Sequence, residues 1–346
     1  MTLNPDLRVS VVIPTFNRAN LLAQSVSSVL ATLEAGDEVI VVDDGSTDHT
    51  SEVVARFGAP VRYVKTANRG AGAARNAGIR AAIHDLIAFN DSDDVWLPNH
   101  LRLQRQVMQA RPDVLFCFSN FGGITPAQEH VHDSLGFWRE EFGYSRACPW
   151  EQLIGAGVPF SSVGRLAPAE ADFQVHVGDI YPTELDFNYI SVITLLVRRG
   201  SAGPALSFPE DLNWGEDWEC VARLSRAGLA AYLDCETAEQ RVHSGPRLTS
   251  ADWVKKAALQ LKLIERVWGS DAEFMNQHES RYHAAAARIH LVRARALIVQ
   301  GCTSEAREEL RLAGAAPFSY RALAALPGTL VRGLLNARRE VLGWVS

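Results

Sequence analysis

The sequence predicts an α/β fold in which a mostly parallel central sheet is covered by helices. Within the first 120 residues, short continuous apolar runs alternate with stretches of helical periodicity. Strands that are apolar along their whole length and are separated by helices are typical of parallel sheets buried on both faces. The runs that predict strands are 9–14, 38–42, 61–65, 86–89 and 114–118, and those that predict helices are 19–33, 47–57, 71–83 and 98–110.

The pattern changes after this first region. Residues 121–187 contain several glycine, proline, aromatic and acidic residues, and they predict loops and short elements. A strand is expected over 189–197 and a helix over 217–227. The remaining sequence is rich in Ala, Leu and Arg with helical periodicity. We therefore expect an α/β domain over 1–250, followed by a helical C-terminal extension over 251–346.

The composition excludes several classes of protein. Of the 346 residues, 47% are hydrophobic and 21% are charged, as in ordinary globular chains. A net charge of -6 gives no reason to expect a nucleic-acid partner. The five cysteines lack CxxC spacing, which favours a reducing compartment and no structural zinc. Because neither a signal peptide nor a membrane-spanning run is recognised, we expect a cytoplasmic protein.

Two acidic clusters directly follow predicted strands. Asp43 and Asp44 follow the run 38–42, and the segment 91–94, Asp-Ser-Asp-Asp, follows the run 86–89. Carboxylates at the carboxyl ends of parallel strands project into the crevice where α/β folds bind ligands. One or two carboxylates plus phosphate oxygens are the usual ligands of Mg²⁺. Residues 91–94 could instead be a solvated acidic turn, but their position after a buried strand favours a metal–diphosphate site. Asp43 or Asp44 could hydrogen-bond a ribose or base edge, or could only cap the next helix.

Two further polar segments lie at expected strand or helix ends. Residues 14–17, Pro-Thr-Phe-Asn, end the first strand, and residues 68–76 contain a GxG followed by Arg75. Since this GxG is not on the first strand–helix turn, it does not indicate a dinucleotide site. Arg75 is better placed to contact a phosphate or base near the start of a helix.

Together these segments resemble the inverting glycosyltransferase family 2, whose GT-A fold is a Rossmann-like sandwich. The family has P-x-[YF]-N, DDGS, G-x-x-x-[AS]-R-N and D-x-D-D motifs, and here they match 14–17, 43–46, 70–76 and 91–94. Two later segments also match. Residues 214–219 resemble the ED motif that opens a helix, and 241–245 resemble the R-x-H segment. The resemblance covers roughly residues 8–250.

The resemblance assigns a role to each matching position. Asp217 would be the catalytic base, with Glu216 beside it. A divalent cation, Mn²⁺ or Mg²⁺, would contact Asp93 together with Asp91 and His243. The residues expected to bind the nucleotide sugar are Thr15, Asn17, Asp44, Arg75, Asp91 and Ser92.

The activity that the resemblance implies is transfer of a sugar, with inversion, from a nucleotide-sugar donor to an acceptor hydroxyl. We expect a UDP-linked donor, and a sugar, a lipid-linked sugar or another hydroxyl compound as acceptor, in surface polysaccharide or glycoconjugate synthesis. Residues 1–120 would form the nucleotide-binding half of the catalytic domain and 121–250 the acceptor half. The family's G-G-F-D-E segment is replaced by residues 199–210. The identity of the acceptor therefore does not carry over.

Three other functions share part of this pattern. A nucleotidyltransferase requires a basic, glycine-rich phosphate loop after the first strand, which residues 15–18 do not form. An NAD-dependent oxidoreductase requires GxGxxG at the same place, and the sequence has no such motif there. A non-catalytic nucleotide-sugar-binding protein with this fold would use the same binding residues, but the presence of both Asp93 and Asp217 argues against it.

The C-terminal stretch leaves two interpretations open. It could be a surface helix that meets anionic lipid at the inner face of the membrane, or a helix that packs on the catalytic domain. Pro327 and Gly328 interrupt the pattern. The leucines at 323, 326, 330, 334 and 335 fall on one helical side, with Arg332, Arg338 and Arg339 nearer the polar side.

Overall fold

A computed structural model describes residues 7–125, 127, 129–136, 149–241 and 252–333. The chain divides into two compact units, Met1–Gly245 and Pro246–Ser346. The first unit is an α/β domain, and the second is helical in its described part.

The first unit is built on one mixed sheet. Its spatial order is β3-β2-β1-β4-β10-β6-β11-β9-β8, with β5 added to β11 and β7 added to β6. The strands are β1 (Val9–Thr15), β2 (Glu38–Asp43), β3 (Val61–Lys65), β4 (Leu86–Phe89), β5 (Val95–Trp96), β6 (Val114–Ile124), β7 (His130–Val131), β8 (Gly157–Pro159), β9 (Gln174–Gly178), β10 (Leu196–Arg198) and β11 (Leu229–Arg241).

Helices pack on this sheet and complete its core. For example, α3 contacts β1 and β2, while α4 contacts β6 and β11. The helices are α1 (Ala19–Leu30), α2 (Thr50–Ala55), α3 (Ala71–Ala81), α4 (His100–Ala110), α5 (Trp150–Leu153), α6 (Tyr181–Glu184), α7 (Arg199–Ala202) and α8 (Glu216–Ala227). Short 3₁₀ turns cover Phe160–Ser162, Val192–Thr194 and Gly203–Ala205.

The predicted α/β fold class is confirmed, and the sheet is more mixed than the sequence suggested. Strands β3, β2, β1 and β4 are parallel, as are β6 and β11. Strand β10 lies antiparallel between β4 and β6. The strand expected over 189–197 was wrong in most of its length, because a 3₁₀ turn precedes the short β10. A fully buried apolar run carries no period that distinguishes these conformations.

The parallel strands bring their carboxyl ends to one edge of the sheet. Strands β2 and β4 flank β1, so the polar segments after all three strands meet there. Helix α3 approaches the segment before α8 closely, since a Cβ on Gly72 would lie 2.8 Å from the Pro209 carbonyl oxygen. Gly215, the residue before α8, has a φ of 80°, a conformation that glycine adopts readily. Gly72 therefore permits the close packing of α3, and Gly215 permits the backbone turn that precedes α8.

The second unit contains helices with a small apolar core of their own. They are α9 (Trp253–Ile264), which continues into a π-helical turn over Glu265–Gly269, α10 (Ala272–Val299), α11 (Thr303–Leu312) and α12 (Phe318–Ala325). Leu323 and Leu326 pack against this core. Since α12 ends at Ala325, the expected leucine stripe is not on one continuous helix. Leu334, Leu335, Arg338 and Arg339 lie outside the described residues.

Candidate active site

The turn after β1 is fastened to the loop after β2. The Asn17 amide N–H donates to Ser46 Oγ at 2.9 Å, and Asn17 Oδ1 accepts from the Thr47 N–H at 2.8 Å. Asn17 has a φ of 51°, a left-handed conformation in which asparagine is enriched. Thr15 is buried, and its hydroxyl has no hydrogen-bond partner among the described residues. These hydrogen bonds thus join the two motifs, and the Thr15 hydroxyl lies at the end of β1.

Asp44 organises the loop that leads into α3. Its carboxylate accepts hydrogen bonds from the backbone N–H groups of Arg69, at 3.0 Å, and Gly70, at 2.7 Å, and from the Thr66 hydroxyl, at 3.2 Å. The side chain is buried. The expected contact between Asp44 and uracil or ribose remains a prediction, and any such contact would use a carboxylate that also holds this loop.

Replacing Asp44 with Ala is expected to weaken nucleotide binding by about 10- to 100-fold. This range corresponds to the loss of hydrogen bonds to a charged group, ~1.5–3 kcal/mol. The measurement is the Kd for UDP by calorimetry, with thermal unfolding to show that the variant is folded. Asp113→Ala, which removes an exposed carboxylate paired with Arg111, is the control. An affinity within about twofold of wild type in a folded Asp44→Ala protein would contradict the role.

In the acidic loop after β4, two carboxylates pair with arginine side chains and the third accepts a backbone hydrogen bond. Asp91 accepts from Arg75 Nη2 at 2.8 Å, and Asp93 forms an ion pair with Arg18. Asp94 accepts from the Arg241 N–H at 3.0 Å. The Ser92 side chain, between the D-x-D carboxylates, is buried. Two ion pairs and a backbone hydrogen bond thus hold this acidic turn, which distinguishes it from a solvated surface turn.

Arg75 joins the acidic loop to the start of α8. Its Nη1 donates to Glu216 at 2.9 Å, its Nη2 donates to Asp91, and its guanidinium lies 5.2 Å from the centre of the Phe208 ring. Burial alone would lower the pKa of Arg75, but the negative charges of Asp91 and Glu216 outweigh this effect and raise it. Arg75 is therefore a permanent, buried cation between the two acidic segments.

Asp217 lies at the start of α8, directly after Glu216. Its Oδ1 accepts from the Trp218 N–H at 2.8 Å. Burial, and next the negative charge of Glu216, raise the pKa of Asp217 to about 7, although Arg75 and the Trp218 N–H act in the opposite direction. A carboxylate with a pKa near neutrality is well matched to proton transfer at physiological pH. The geometry thus provides a candidate base close to a fixed cation.

Three residues that sequence reasoning did not select belong to the same region. Arg18 pairs with Asp93, and Glu210 pairs with Arg69 and accepts from Asn76. Glu184, at the end of α6, is fully buried. Burial, and next the nearby charge of Asp217, raise the pKa of Glu184, although a hydrogen bond from the Tyr189 backbone acts in the opposite direction. No motif marked Glu184, because its significance arises only from burial.

The acidic loop fits a cation that shares its ligands with a substrate. Within the described ranges, no group of three or more His, Cys, Asp or Glu side chains is arranged to hold a metal ion. Mg²⁺ bound with phosphates usually takes only one or two carboxylates from the protein. Asp91 and Asp93 can supply these oxygens. His243, the third expected ligand, lies outside the described residues.

Known sequences match the region that contains these motifs. Residues 10–171 match the profile of glycosyl transferase family 2. An uncharacterised glycosyltransferase of Rickettsia felis is 40% identical over 128 residues, which are 36% of this chain and 21% of that protein. The Escherichia coli protein WfgD, named as a UDP-Glc:α-D-GlcNAc-diphosphoundecaprenol β-1,3-glucosyltransferase, is 35% identical over 118 residues. That alignment covers 34% of this chain and 46% of WfgD. The chain thus spans less than half the length of these two relatives.

Solved structures share the fold at low sequence identity. Staphylococcus aureus TarS 1–349, in complex with UDP-GlcNAc, has a TM-score of 0.55 and 17% identity, with 92% of this chain and 90% of that chain covered. The mannosyltransferase PcManGT of Pyrobaculum calidifontis, in complex with GDP-Man and Mn²⁺, has a TM-score of 0.54 and 18% identity, with 97% and 83% covered. The predicted GT-A fold and the predicted family are both confirmed. This chain carries a glycosyltransferase family 2 domain.

Proposed function

We propose that this protein transfers a sugar from a UDP-linked donor to an acceptor hydroxyl, with inversion of the anomeric centre. The observation that carries the proposal is the chain of contacts from Asp91 through Arg75 to Glu216, with Asp217 next to it. This arrangement supports the proposal, because it joins the buried Arg75 cation to Asp91 of the acidic loop and to the start of α8, where Asp217 lies. Thr15, Asn17, Asp44 and Ser92 would border the nucleotide.

In the proposed reaction, ionised Asp217 removes the proton of an acceptor hydroxyl. The acceptor oxygen forms a bond to the anomeric carbon on the face opposite the diphosphate, and the bond from that carbon to the diphosphate oxygen breaks. General-base assistance of this kind contributes roughly 10²–10⁴-fold. The positive charge of the buried Arg75 stabilises the negative charge that develops on the departing diphosphate. Mn²⁺ or Mg²⁺, held by Asp91 and Asp93 with His243 as the expected third ligand, would neutralise the same charge when bound.

The comparisons support the choice of donor and acceptor class. The name of WfgD includes UDP-Glc and a diphosphoundecaprenol-linked sugar, and TarS was solved with UDP-GlcNAc. We therefore propose a UDP-sugar donor and a lipid-linked sugar acceptor, in surface polysaccharide or glycoconjugate synthesis. PcManGT was solved with GDP-Man, so GDP-linked donors form the alternative class to be tested.

A thermal-shift panel tests donor binding. UDP and UDP-sugars are expected to raise the melting temperature in the presence of Mn²⁺, because a ligand that binds only the native state stabilises it. The sugar that is transferred is then identified by incubation with lipid-linked acceptors, and the anomeric configuration of the product by NMR. If no nucleotide sugar raises the melting temperature, the proposed function is wrong. Binding without turnover on any acceptor would favour the non-catalytic alternative.

The pH dependence of turnover provides a separate test of the base. Asp217 accepts a proton only when it is ionised, and its pKa is raised to about 7 by burial and by Glu216. We therefore expect kcat to rise with pH through about 7 and to level off above it. The measurement is kcat at saturating donor between about pH 5.5 and 9, with the Asp217→Glu variant to show whether the midpoint follows this side chain. A flat profile over that range would contradict the assignment.

The second unit provides one candidate contact with a membrane. Phe318, the first residue of α12, is 85% exposed, whereas Leu323 and Leu326 pack inside the unit. In the residues that the structure describes, no helix has the length and hydropathy needed to cross a bilayer. We propose peripheral binding at the inner face of the membrane, where a lipid-linked acceptor would be located.

Phe318→Ala is expected to weaken co-sedimentation with anionic vesicles by about 10-fold or more, as estimated from the loss of a buried Phe side chain at roughly 1.5–3 kcal/mol. Ile83→Ala, which changes a 67% exposed residue of the first unit, is the control. If wild-type protein does not sediment with the vesicles, the membrane proposal fails.

A further inference from the structure

Arg18 lies beside the acidic loop, where the proposed function puts the negatively charged diphosphate of the donor. No motif assigns Arg18 a role. It directly precedes α1, and its guanidinium forms an ion pair with Asp93 of the acidic loop. Strands β1 and β4 are parallel neighbours, so the segments that follow them meet at the same edge of the sheet. Asp93 is also the carboxylate that we propose as the direct contact of the metal ion. Arg18 and a cation therefore compete for one carboxylate.

The two arginines that face the acidic loop differ in how firmly they are held. Arg75 is only 5% exposed, and it contacts two carboxylates, those of Asp91 and Glu216. Arg18 is 25% exposed and its partner Asp93 17%, whereas Asp91, the partner of Arg75 in the same loop, is 30% exposed. Solvent weakens an ion pair, so we expect a bound cation to displace the partly exposed Arg18 and not the buried Arg75.

A guanidinium that leaves Asp93 can pair with another anion. Its planar fork matches phosphate oxygens as well as it matches a carboxylate, and a diphosphate presents such oxygens beside the metal. Because a metal ion takes the carboxylate and a diphosphate takes the arginine, each ligand removes an obstacle to the other. Thermodynamic linkage requires this coupling to be equal in both directions.

We propose that Arg18 is a donor-binding residue that exchanges Asp93 for the donor's diphosphate when the cation binds, and so couples cation binding to nucleotide binding. This role rests on the proposed function, since it requires a metal and a nucleoside diphosphate at this site. It assigns to Arg18 two opposite effects. Arg18 hinders the metal when no nucleotide is present, and it strengthens nucleotide binding once the metal is there.

Arg18→Ala separates this role from a general loss of structure. Without nucleotide, the variant is expected to bind Mn²⁺ about 1.5- to 5-fold more tightly, the equivalent of the ~0.2–1 kcal/mol of a partly exposed ion pair. With Mn²⁺ present, the variant is expected to bind UDP more weakly than wild type. The factor by which Mn²⁺ tightens UDP binding should therefore fall severalfold. Misfolding would weaken the binding of both ligands. Tighter Mn²⁺ binding is therefore a result that structural damage does not produce.

The experiment measures Mn²⁺ binding by electron paramagnetic resonance and UDP binding by calorimetry, with and without Mn²⁺. It compares wild type, Arg18→Ala, Arg18→Lys and the control Arg111→Ala, which removes the same charge from an exposed pair with Asp113. Lys retains the charge without the fork, so an intermediate coupling is expected. If wild type binds both ligands but Arg18→Ala changes neither the Mn²⁺ affinity nor the coupling, the role of Arg18 is overturned alone. A wild type that binds neither ligand overturns the proposed function as well.

Discussion

Replacing Asp217 with Asn is expected to lower kcat by at least about 10²-fold, because the variant retains the size of the side chain but cannot accept a proton. The Kd for the donor should change little, since the residues expected to bind the nucleotide are unchanged. The measurements are kcat with a saturating acceptor and the Kd for the donor. Glu219→Gln, which makes the same chemical change in the first turn of the same helix, is the matched control.

Stability gives an independent view of the same variant. Since the pKa of Asp217 is raised above its ordinary value, the folded state binds a proton more readily than the unfolded chain. Stability from this group is therefore lost as pH rises from about 4 to about 7. Asn cannot ionise, so the Asp217→Asn protein should melt at a higher temperature than wild type at about pH 8, and the gain should disappear near pH 4.

Two results would contradict this assignment in different ways. If Asp217→Asn turned over near the wild-type rate, Asp217 would not be the base, and Glu216 would be the next candidate. A product with retained anomeric configuration would reject the single displacement itself, whichever carboxylate acts as base.

Removal of divalent metal is expected to reduce turnover by at least about 10²-fold, because a cation at a diphosphate stabilises the developing charge by several kcal/mol. Added Mn²⁺ or Mg²⁺ should restore the activity. Asp93→Ala should weaken UDP binding mainly when metal is present, whereas the control Asp113→Ala should leave it unchanged. The measurements are turnover after exhaustive chelation, metal content, and the Kd for UDP with and without Mn²⁺. Full activity in protein that contains no metal would refute the metal requirement.

Much of the architecture of the first unit could be predicted from the sequence. The strands predicted at 61–65 and 86–89 are observed with those bounds, and the helix predicted over 217–227 begins one residue earlier, at Glu216. Continuous apolar runs and helical periodicity report local burial, which depends mostly on neighbouring residues. Polar residues at the carboxyl ends of parallel strands meet at one edge of the sheet. The pattern therefore also predicted that Asp43 and Asp91 lie at the same edge.

The elements that periodicity could not identify are those whose conformation depends on distant partners. The run 189–197 is buried throughout, and only its place between β4 and β6 decides that 196–198 is an antiparallel strand. Similarly, the long β6 extends past its apolar start because β11 pairs with its polar half, from Ser119 to Ile124.

The sequence by itself determined where the acidic motifs and Arg75 stand relative to the strand ends, because motif positions and strand ends are local properties. Only the tertiary structure decided which of them form pairs. Arg75 meets Glu216, 141 residues away, and Arg18 meets Asp93. The tertiary structure also decided that Asp217 has a raised pKa and that Glu184 is fully buried. The physical reason is that desolvation and charge pairing depend on distances through space, which packing sets and residue order does not contain.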